Sequence, residues 1–197
     1  MNAVSNKTRS YQLKARAERQ RETRERIVEA TAALHAEIGP ARTTIADVAR
    51  RAGVQRLTVY NHFPELRDLI AACSLHFVTA NPPPNLAPAA GDPLDDLQRA
   101  LTAIYGWYRA NEAMERNVHH DRHLVPELDE LLAAQNDPAL DGAAAAHAAR
   151  AAAGSEEARA LIRVALEFRT WEVLDRLGLE DAEMASLFRR AVEALPG

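Results

Sequence analysis

The chain of 197 residues contains one cysteine, Cys73, and few aromatic residues, at 5% of the total. A single cysteine excludes an intrachain disulfide framework and a cysteine-based metal cluster, and it agrees with a reducing cytoplasm as the compartment. No apolar run approaches the roughly 18–20 residues that span a bilayer, and the polar, basic start lacks the apolar core of a secretory signal. Scarce aromatics with abundant alanine favour helices over sheet. The sequence therefore predicts an all-α cytoplasmic protein that does not enter a membrane.

Charge is divided unevenly along the chain. Residues 1–70 hold 13 lysines and arginines against 8 acidic residues, whereas residues 71–197 hold 11 against 20. Eight of the basic side chains fall within positions 7–26. A basic first third on an acidic body indicates a module that binds a polyanion, joined to a second module with another role.

Proline and glycine mark the domain organisation. Five prolines and one glycine fall within residues 80–93, a density that no helix or central strand survives. We therefore expect a flexible basic arm at 1–18, a helical domain at 19–64, a further helix at 65–79, a proline-rich loop at 80–93 and a second helical domain at 94–197. Apolar periodicity predicts about nine helices in all. In the last domain they cover about 94–110, 112–122, 126–152 with a candidate break at Pro138, 156–177 and 180–195.

Two short helices are predicted in succession within the basic third. Thr44 is a good N-cap. The carboxylate of Asp47, at the third helical position, can accept the backbone N–H of Thr44 as in a capping box. Gly53 suits the left-handed backbone conformation of the residue that ends such a helix. A second helix is predicted over Arg56–Phe63, and Pro64 ends it. Two short helices joined by a glycine turn are typical of a helix-turn-helix, whose second helix enters the major groove. A compact helical hairpin with a polar outer face is the alternative that this pattern leaves open.

The exposed side of the second helix carries side chains suited to DNA. Gln, Arg and Asn can read base edges with two hydrogen bonds, whereas Thr, Tyr and His suit phosphates. The residues on that side are Gln55, Arg56, Thr58, Tyr60, Asn61 and His62.

Three blocks of this region resemble the DNA-binding domain of the TetR/AcrR family of bacterial regulators: Thr43–Ala49, Ala52–Val54 and Thr58–Pro64. The resemblance covers about residues 20–75 and implies a dimeric regulator of nine or ten helices. It implies that 19–64 is a DNA-binding helix-turn-helix domain, that 65–79 is a linking helix, and that 94–197 is a ligand-binding and dimerisation domain. It also implies phosphate contacts by Thr44, Tyr60 and His62. Two more residues complete the predicted DNA-binding set. Leu57 stands at a position where the family often has a small residue. Arg67 follows Leu66, which stands at a position where the family often has a lysine that contacts phosphate.

A cluster of aromatic and polar side chains in the body predicts a pocket for an apolar or planar effector. Its candidate ligand-binding residues are Tyr105, Trp107, Tyr108, Met114, His119, Phe168, Trp171 and Glu172. The alternative is that the aromatic rings simply fill the core. His119 and His123 are spaced as a metal pair on a helix, but two ligands do not make a site, so we expect no metal and no cofactor. Cys73 lies on an apolar helix face and is expected to be a buried thiol.

The last two predicted helices carry more apolar surface than one packing face needs. Their stripes consist of Leu161, Val164, Ala165, Phe168 and Trp171 on one helix, and Met184, Leu187, Phe188, Ala191, Val192 and Leu195 on the other. Two such helices from each chain can form a four-helix interface about a two-fold axis, which predicts a homodimer.

These features together predict a sequence-specific transcriptional regulator. We expect a repressor that binds double-stranded, palindromic operator DNA and is released by an unknown small-molecule effector. A helical adaptor that binds a protein partner is one alternative. An all-α enzyme is the other, but the sequence contains no phosphate loop, nucleophile elbow or zincin motif, and we assign no catalytic residue.

Overall fold

The computed structural model describes residues 3–151 and 154–195, with side chains from residue 13 onward. Over this part of the chain it contains ten α-helices and no strand, which confirms the all-α prediction. The helices are α1 (Ala3–Ile38), α2 (Ile45–Ala52), α3 (Arg56–His62), α4 (Leu66–Ala80), α5 (Pro93–Ala110), α6 (Glu112–Asp121), α7 (Pro126–Ala151), α8 (Glu156–Ala165), α9 (Phe168–Arg176) and α10 (Asp181–Glu193). Within the same residues, none of the helices has the length and apolar character needed to cross a membrane. The chain forms two compact units, and the boundary falls between Ala80 and Asn81.

The first unit is built around a small apolar core beneath α2 and α3. Helix α1 packs against α2 and α4, and α2 packs against α3. Ile27 from α1, Val48 from α2 and Val59 from α3 are almost completely buried at its centre. Phe63, directly after α3, closes the core with 3% exposure. Because each short helix contributes its apolar side to this core, the opposite side of α3 remains outside it.

The N-terminal segment differs from its prediction. A flexible arm was expected at 1–18, but α1 is continuous from Ala3 to Ile38. The segment lacks an apolar stripe, yet it is rich in Arg, Glu, Gln and Ala, which are strong helix formers. Charge pairs on successive turns add to this preference, because Arg21 lies 2.7 Å from Glu18 and 3.8 Å from Glu25. Helix propensity along the segment, with ion pairs at residues 18–25, accounts for the extension.

The second unit is organised by aromatic rings from α5 and α9. Tyr105, Phe168 and Trp171 are at most 1% exposed and lie in one cluster with apolar residues of α7, α8 and α10. Helix α5 packs along α10, and α7 packs along α8. Tyr108 brings its ring within 5.3 Å of Phe168 and 6.1 Å of Trp171, measured between ring centroids.

One predicted helix, at 156–177, is two helices in the structure. Helix α8 ends at Ala165 and α9 begins at Phe168. The hydroxyl of Tyr105 donates to the carbonyl of Ala165 at 2.8 Å, and that of Tyr108 donates to the carbonyl of Leu166 at 2.7 Å. These carbonyls have no partner within a helix that ends here, so two buried tyrosines stabilise a break that no proline or glycine marks.

Pro138, the candidate break in the third helix of the body, does not end it. Helix α7 runs from Pro126 to Ala151 with Pro138 inside. The side chain of Pro138 is exposed, so its ring does not have to fit into the core. Residue 152, the predicted end of this helix, lies outside the described residues.

The proline-rich segment of residues 81–92, called the strap below, contains no helix and is fastened to α5 and α7 by four side chains. Asp96 accepts the backbone N–H of Ala89 at 2.7 Å. Arg150 donates to the carbonyls of Ala89 and Gly91, and Arg99 donates to that of Ala87 at 3.5 Å. His147, only 2% exposed, lies with its Nε2 2.9 Å from the carbonyl of Leu86. Since a carbonyl can only accept, Nε2 carries the proton.

Two ionisable side chains of this fastening are tuned by their surroundings. Burial opposes ionisation of Asp96, but its hydrogen bonds from Arg99 and from the Ala89 amide outweigh this, and the pKa of Asp96 falls below its ordinary value. Burial lowers the pKa of His147, which favours the neutral imidazole. The fastening therefore consists of an ionised Asp96 between two arginines, beside a neutral histidine.

Candidate nucleic-acid interface

Helix α2 is fixed at both ends by the residues that the sequence singled out. The hydroxyl of Thr44 accepts the backbone N–H of Asp47 at 3.2 Å and donates to the Asp47 carboxylate. This hydrogen bond, with help from Arg50, holds the pKa of Asp47 below its ordinary value. Gly53 ends the helix with φ of 66°, in the left-handed region that glycine adopts without strain. A short helix closed at both ends gives α3 a firm support.

Helix α3 presents the predicted recognition residues on its outer side. Leu57 is 67% exposed and Tyr60 is 51% exposed, while Arg56 and Asn61 are also exposed. Thr58 and His62 are half-buried along one edge. Val59 points into the core between them. The two turns of α3 are therefore divided into one buried anchor, Val59, and an outer surface that includes polar side chains able to read base edges.

Three predicted DNA-binding residues lie at the ends of helices. Gln55 precedes α3 as its N-cap residue, is exposed, and makes no capping hydrogen bond with its side chain. Thr44 is exposed at the start of α2, although its hydroxyl already serves the cap. Arg67 is exposed in the first turn of α4.

The structure adds residues of α1 that sequence reasoning had assigned to an arm or left without a role. Arg16, Arg19, Gln20 and Thr23 form one wall of an open surface groove, and Thr58 and His62 of α3 form the other. Beyond this groove, the guanidinium of Arg24 lies 4.7 Å from the centre of the Phe63 ring. The available signal was spacing, because positions 16, 20 and 23 continue the face that Ile27 begins in the core. The helical register of α1 thus places basic side chains beside the recognition helix.

In the second unit, most of the predicted effector contacts belong to the packed core. The rings of Phe168 and Trp171 lie 5.4 Å apart, and Met114 is 7% exposed. The indole N–H of Trp171 donates to Asp181 at 3.1 Å, and that of Trp107, which is partly buried, donates to the carbonyl of Asn81 at 3.1 Å. These contacts, with the tyrosine hydroxyl bonds described above, favour the alternative in which the rings fill the core.

His119 and Glu172 lie at the edge of that core and are already engaged. The ring of His119 stacks on Phe168 with a centroid distance of 5.2 Å, and its Nε2 lies 3.4 Å from Glu115. Glu172 accepts from Arg116 at 3.1 Å. Among the residues that the structure describes, no group of three or more His, Cys, Asp or Glu side chains is arranged to hold a metal ion.

Cys73 is 3% exposed, 3.6 Å from Nδ1 of His35 in α1. Burial raises the pKa of its thiol to about 12. A neutral, enclosed thiol is a poor nucleophile, so its role is packing between α1 and α4.

Comparison with protein families finds a likeness within the first unit. The family described as bacterial regulatory proteins, TetR family, matches residues 27–73, which span the end of α1 to the middle of α4. An uncharacterized HTH-type transcriptional regulator of Mycobacterium bovis is 29% identical over 120 residues. One from Mycobacterium tuberculosis is 30% identical over 122 residues. The alignments cover 61% of this chain and 62% of each relative.

Solved structures extend the likeness of fold to most of the chain. A TetR-like transcriptional regulator from Rhodococcus sp. RHA1 covers 86% of this chain and 93% of its own, with a TM-score of 0.59 and 16% identity. Salmonella enterica GusR has the same coverage, with a TM-score of 0.61 and 23% identity. At such identities the comparison establishes the arrangement of helices.

Proposed function

We propose that the chain is a member of the TetR family of bacterial regulatory proteins and a repressor that binds operator DNA as a homodimer. The family match over residues 27–73 and the likeness to HTH-type transcriptional regulators support the membership. The outer side of α3 supports this most directly, because it presents Arg56, Tyr60 and Asn61 while Val59 anchors it from behind. In this proposal Gln55, Arg56 and Asn61 read base edges, and Thr44, Thr58, Tyr60, His62 and Arg67 bind phosphates. Leu57 offers the apolar contact that a thymine methyl group accepts.

We expect Asn61→Ala to weaken binding to a specific duplex selectively. The duplex is selected from a random-sequence library by the wild-type protein, and a scrambled duplex of equal length is the reference. Loss of a bidentate base contact costs about 1–3 kcal/mol, which is about 5- to 150-fold in Kd, and leaves the scrambled duplex unaffected. Titration of both duplexes, followed by fluorescence anisotropy at fixed salt, measures this.

The matched control is Asn136→Ala, which removes an exposed amide from α7 in the other unit. It should bind both duplexes as wild type does. If Asn61→Ala weakens both duplexes equally, Asn61 contacts phosphate rather than a base. If the wild-type protein selects no sequence from the library, the proposed function is wrong.

The dimer interface we propose differs from the set of residues predicted from sequence. Five of those residues face their own core, with exposures of at most 2%: Ala165, Phe168, Trp171, Met184 and Val192. Large apolar side chains remain exposed in the same part of the chain, namely Val164 (52%), Val173 (49%), Leu177 (70%) and Leu187 (39%). This part of the chain thus still offers apolar surface to a second copy, through Val164 and Leu187 of the predicted set and through Val173 and Leu177, which that set lacked.

We expect the double variant Val173→Asp, Leu177→Asp to be monomeric at micromolar concentration, where the wild type is a dimer. Two carboxylates placed opposite their symmetry mates would be desolvated without partners. Multi-angle light scattering measures the mass. The matched control is Leu124→Asp, because Leu124 is also exposed, at 56%, but lies after α6. A wild-type monomer, or a double variant that remains dimeric, contradicts this interface.

Release by a small-molecule effector is the remaining part of the proposal. In it the effector binds the second unit and favours a state that fits DNA poorly, so its effect on DNA affinity cannot exceed its differential affinity for the two states. The contacts of Phe168, Trp171 and Tyr108 indicate that such a ligand would enter by displacing packed groups. Trp107, His119 and Glu172, at the edge of the core, are the candidates that a ligand can reach first.

A further inference from the structure

The face of α1 that packs in the core of the first unit continues along the helix toward its N-terminus. Ile27 is completely buried in that core. Thr23, Gln20 and Arg16 precede it at spacings of three and four residues, so they extend the same side of the helix. In a flexible arm these side chains would have no fixed position, but in a continuous helix their positions are set by the register of Ile27.

This face and α3 enclose the open groove described above, and the chemistry of its walls is one-sided. Arg16, Arg19, Gln20, Thr23, Thr58 and His62 supply two guanidinium groups, an imidazole, an amide and two hydroxyls, and no carboxylate. None of the acidic residues of the same stretch of α1, namely Glu18, Glu22 and Glu25, lines the groove. Glu18 and Glu25 pair with Arg21, and at 100° per residue these three lie on the opposite side from Arg16 and Thr23. The groove therefore concentrates donors and positive charge on the side that faces α3.

We propose that this groove seats the phosphodiester backbone flanking the bases that α3 reads. The inference rests on the proposed function and deepens it, because it assigns α1 a defined part of the DNA contact. Thr58 and His62 form one wall and neighbour Leu57 and Asn61 in α3, so a strand in the groove runs beside the base-reading side. Guanidinium groups and hydroxyls are the usual donors to phosphate oxygens. Helix α1 thereby lengthens the footprint of each recognition helix on DNA.

The test compares two double variants that remove the same charge from the same stretch of α1. Arg16→Ala, Arg19→Ala empties the groove wall, whereas Lys14→Ala, Arg21→Ala removes two exposed cations from the opposite side. The probes are the library-selected duplex with long flanks and the same duplex trimmed to the bases that are read. Kd is measured between 50 and 200 mM salt, and phosphate contacts are mapped by ethylation interference on the long duplex.

For the groove variant we expect a slope of log K against log salt that is flatter by about two, since each phosphate contact contributes about 0.9. We expect about tenfold weaker binding to the long duplex, little change on the trimmed one, and loss of interference at the flanking phosphates. The opposite-side variant should keep the interference pattern and most of the slope. If the two variants behave alike, or the pattern persists without Arg16 and Arg19, the groove proposal is wrong while sequence-selective binding stands. A wild-type protein that selects no duplex would instead overturn the proposed function as well.

A third variant tests whether the helical register matters. Ala15→Gly, Ala17→Gly retains every charge but loosens the helix on both sides of Arg16, at roughly 1 kcal/mol of helix propensity per glycine. We expect weaker interference at the flanking phosphates with an unchanged preference for the selected sequence. A wild-type interference pattern would show that charge alone, without helical placement, produces the contact, and would overturn the assignment to a fixed groove.

Discussion

Trp171→Ala lowers the free energy of unfolding by about 3–5 kcal/mol, the range for removing a large aromatic side chain from a packed core. Trp171 is completely buried, touches the rings of Tyr108 and Phe168, and donates to Asp181. The guanidinium of Arg109 lies 5.5 Å from its ring centre. The variant therefore loses packing and leaves the Asp181 carboxylate without one of its donors. Urea unfolding of the full chain, followed by circular dichroism, measures the change.

Trp107→Ala is the matched control, because Trp107 is also in the aromatic cluster but is only partly buried. We expect a clearly smaller loss of stability and a protein that still binds DNA. An effector site tested with Trp171→Ala alone would confuse lost binding with lost folding, whereas Trp107→Ala separates them. Equal losses for the two variants would contradict the central place given to Trp171.

Asp96→Ala is expected to lower the free energy of unfolding of the second unit by about 2–4 kcal/mol, somewhat below the range for breaking a fully buried ion pair. The carboxylate is 4% exposed and accepts from Arg99, Arg150 and the Ala89 amide. Its removal leaves that amide and both arginines without their common acceptor. The arginines are 48% and 32% exposed, so water relieves part of the loss.

The neighbouring Asp95→Ala provides the comparison for Asp96. Asp95 is 71% exposed and lies 3.3 Å from Arg189, a surface pair worth about 0–1 kcal/mol. Hydrogen exchange of the Ala89 amide should rise sharply in Asp96→Ala and stay unchanged in Asp95→Ala. Protection of Ala89 that survives the loss of Asp96 would mean that the strap is held mainly by other contacts.

The first unit was predictable because its information is local. Thr44, Asp47 and Gly53 specify where α2 begins and ends through contacts within four residues, and the structure contains those contacts. The outer side of α3 followed from the burial of Val59 alone. The groove was not predicted from the sequence. Helical spacing indicates a shared face only when the side chains on it are apolar, and the groove residues of α1 are polar or basic.

The second unit depends on contacts between distant residues, which a single sequence does not reveal. The break between α8 and α9 is stabilised by Tyr105 and Tyr108, which lie about 60 positions earlier in the chain. Their hydroxyls donate to the carbonyls of Ala165 and Leu166. The choice between pocket and core for Phe168 and Trp171 likewise depends on neighbours from other helices. Composition and periodicity predicted an all-α chain with nearly the right number of helices. The neighbours of each aromatic ring could be assigned only from the structure.

The fastening of the strap bears on how this protein can change over evolutionary time. Asp96, Arg99, His147 and Arg150 hold the strap through main-chain atoms of residues 86–91. Because every residue has a backbone carbonyl and every residue except proline has a backbone N–H, Ala87 can be exchanged for other residues, and Ala89 for any residue except proline, without loss of the bonds. Substitutions at Ala87 and Ala89 are therefore expected to leave the path of the strap unchanged, whereas substitutions of the four side chains that hold it are not. The amino-acid sequence of the strap can vary between related proteins as long as these four side chains are kept.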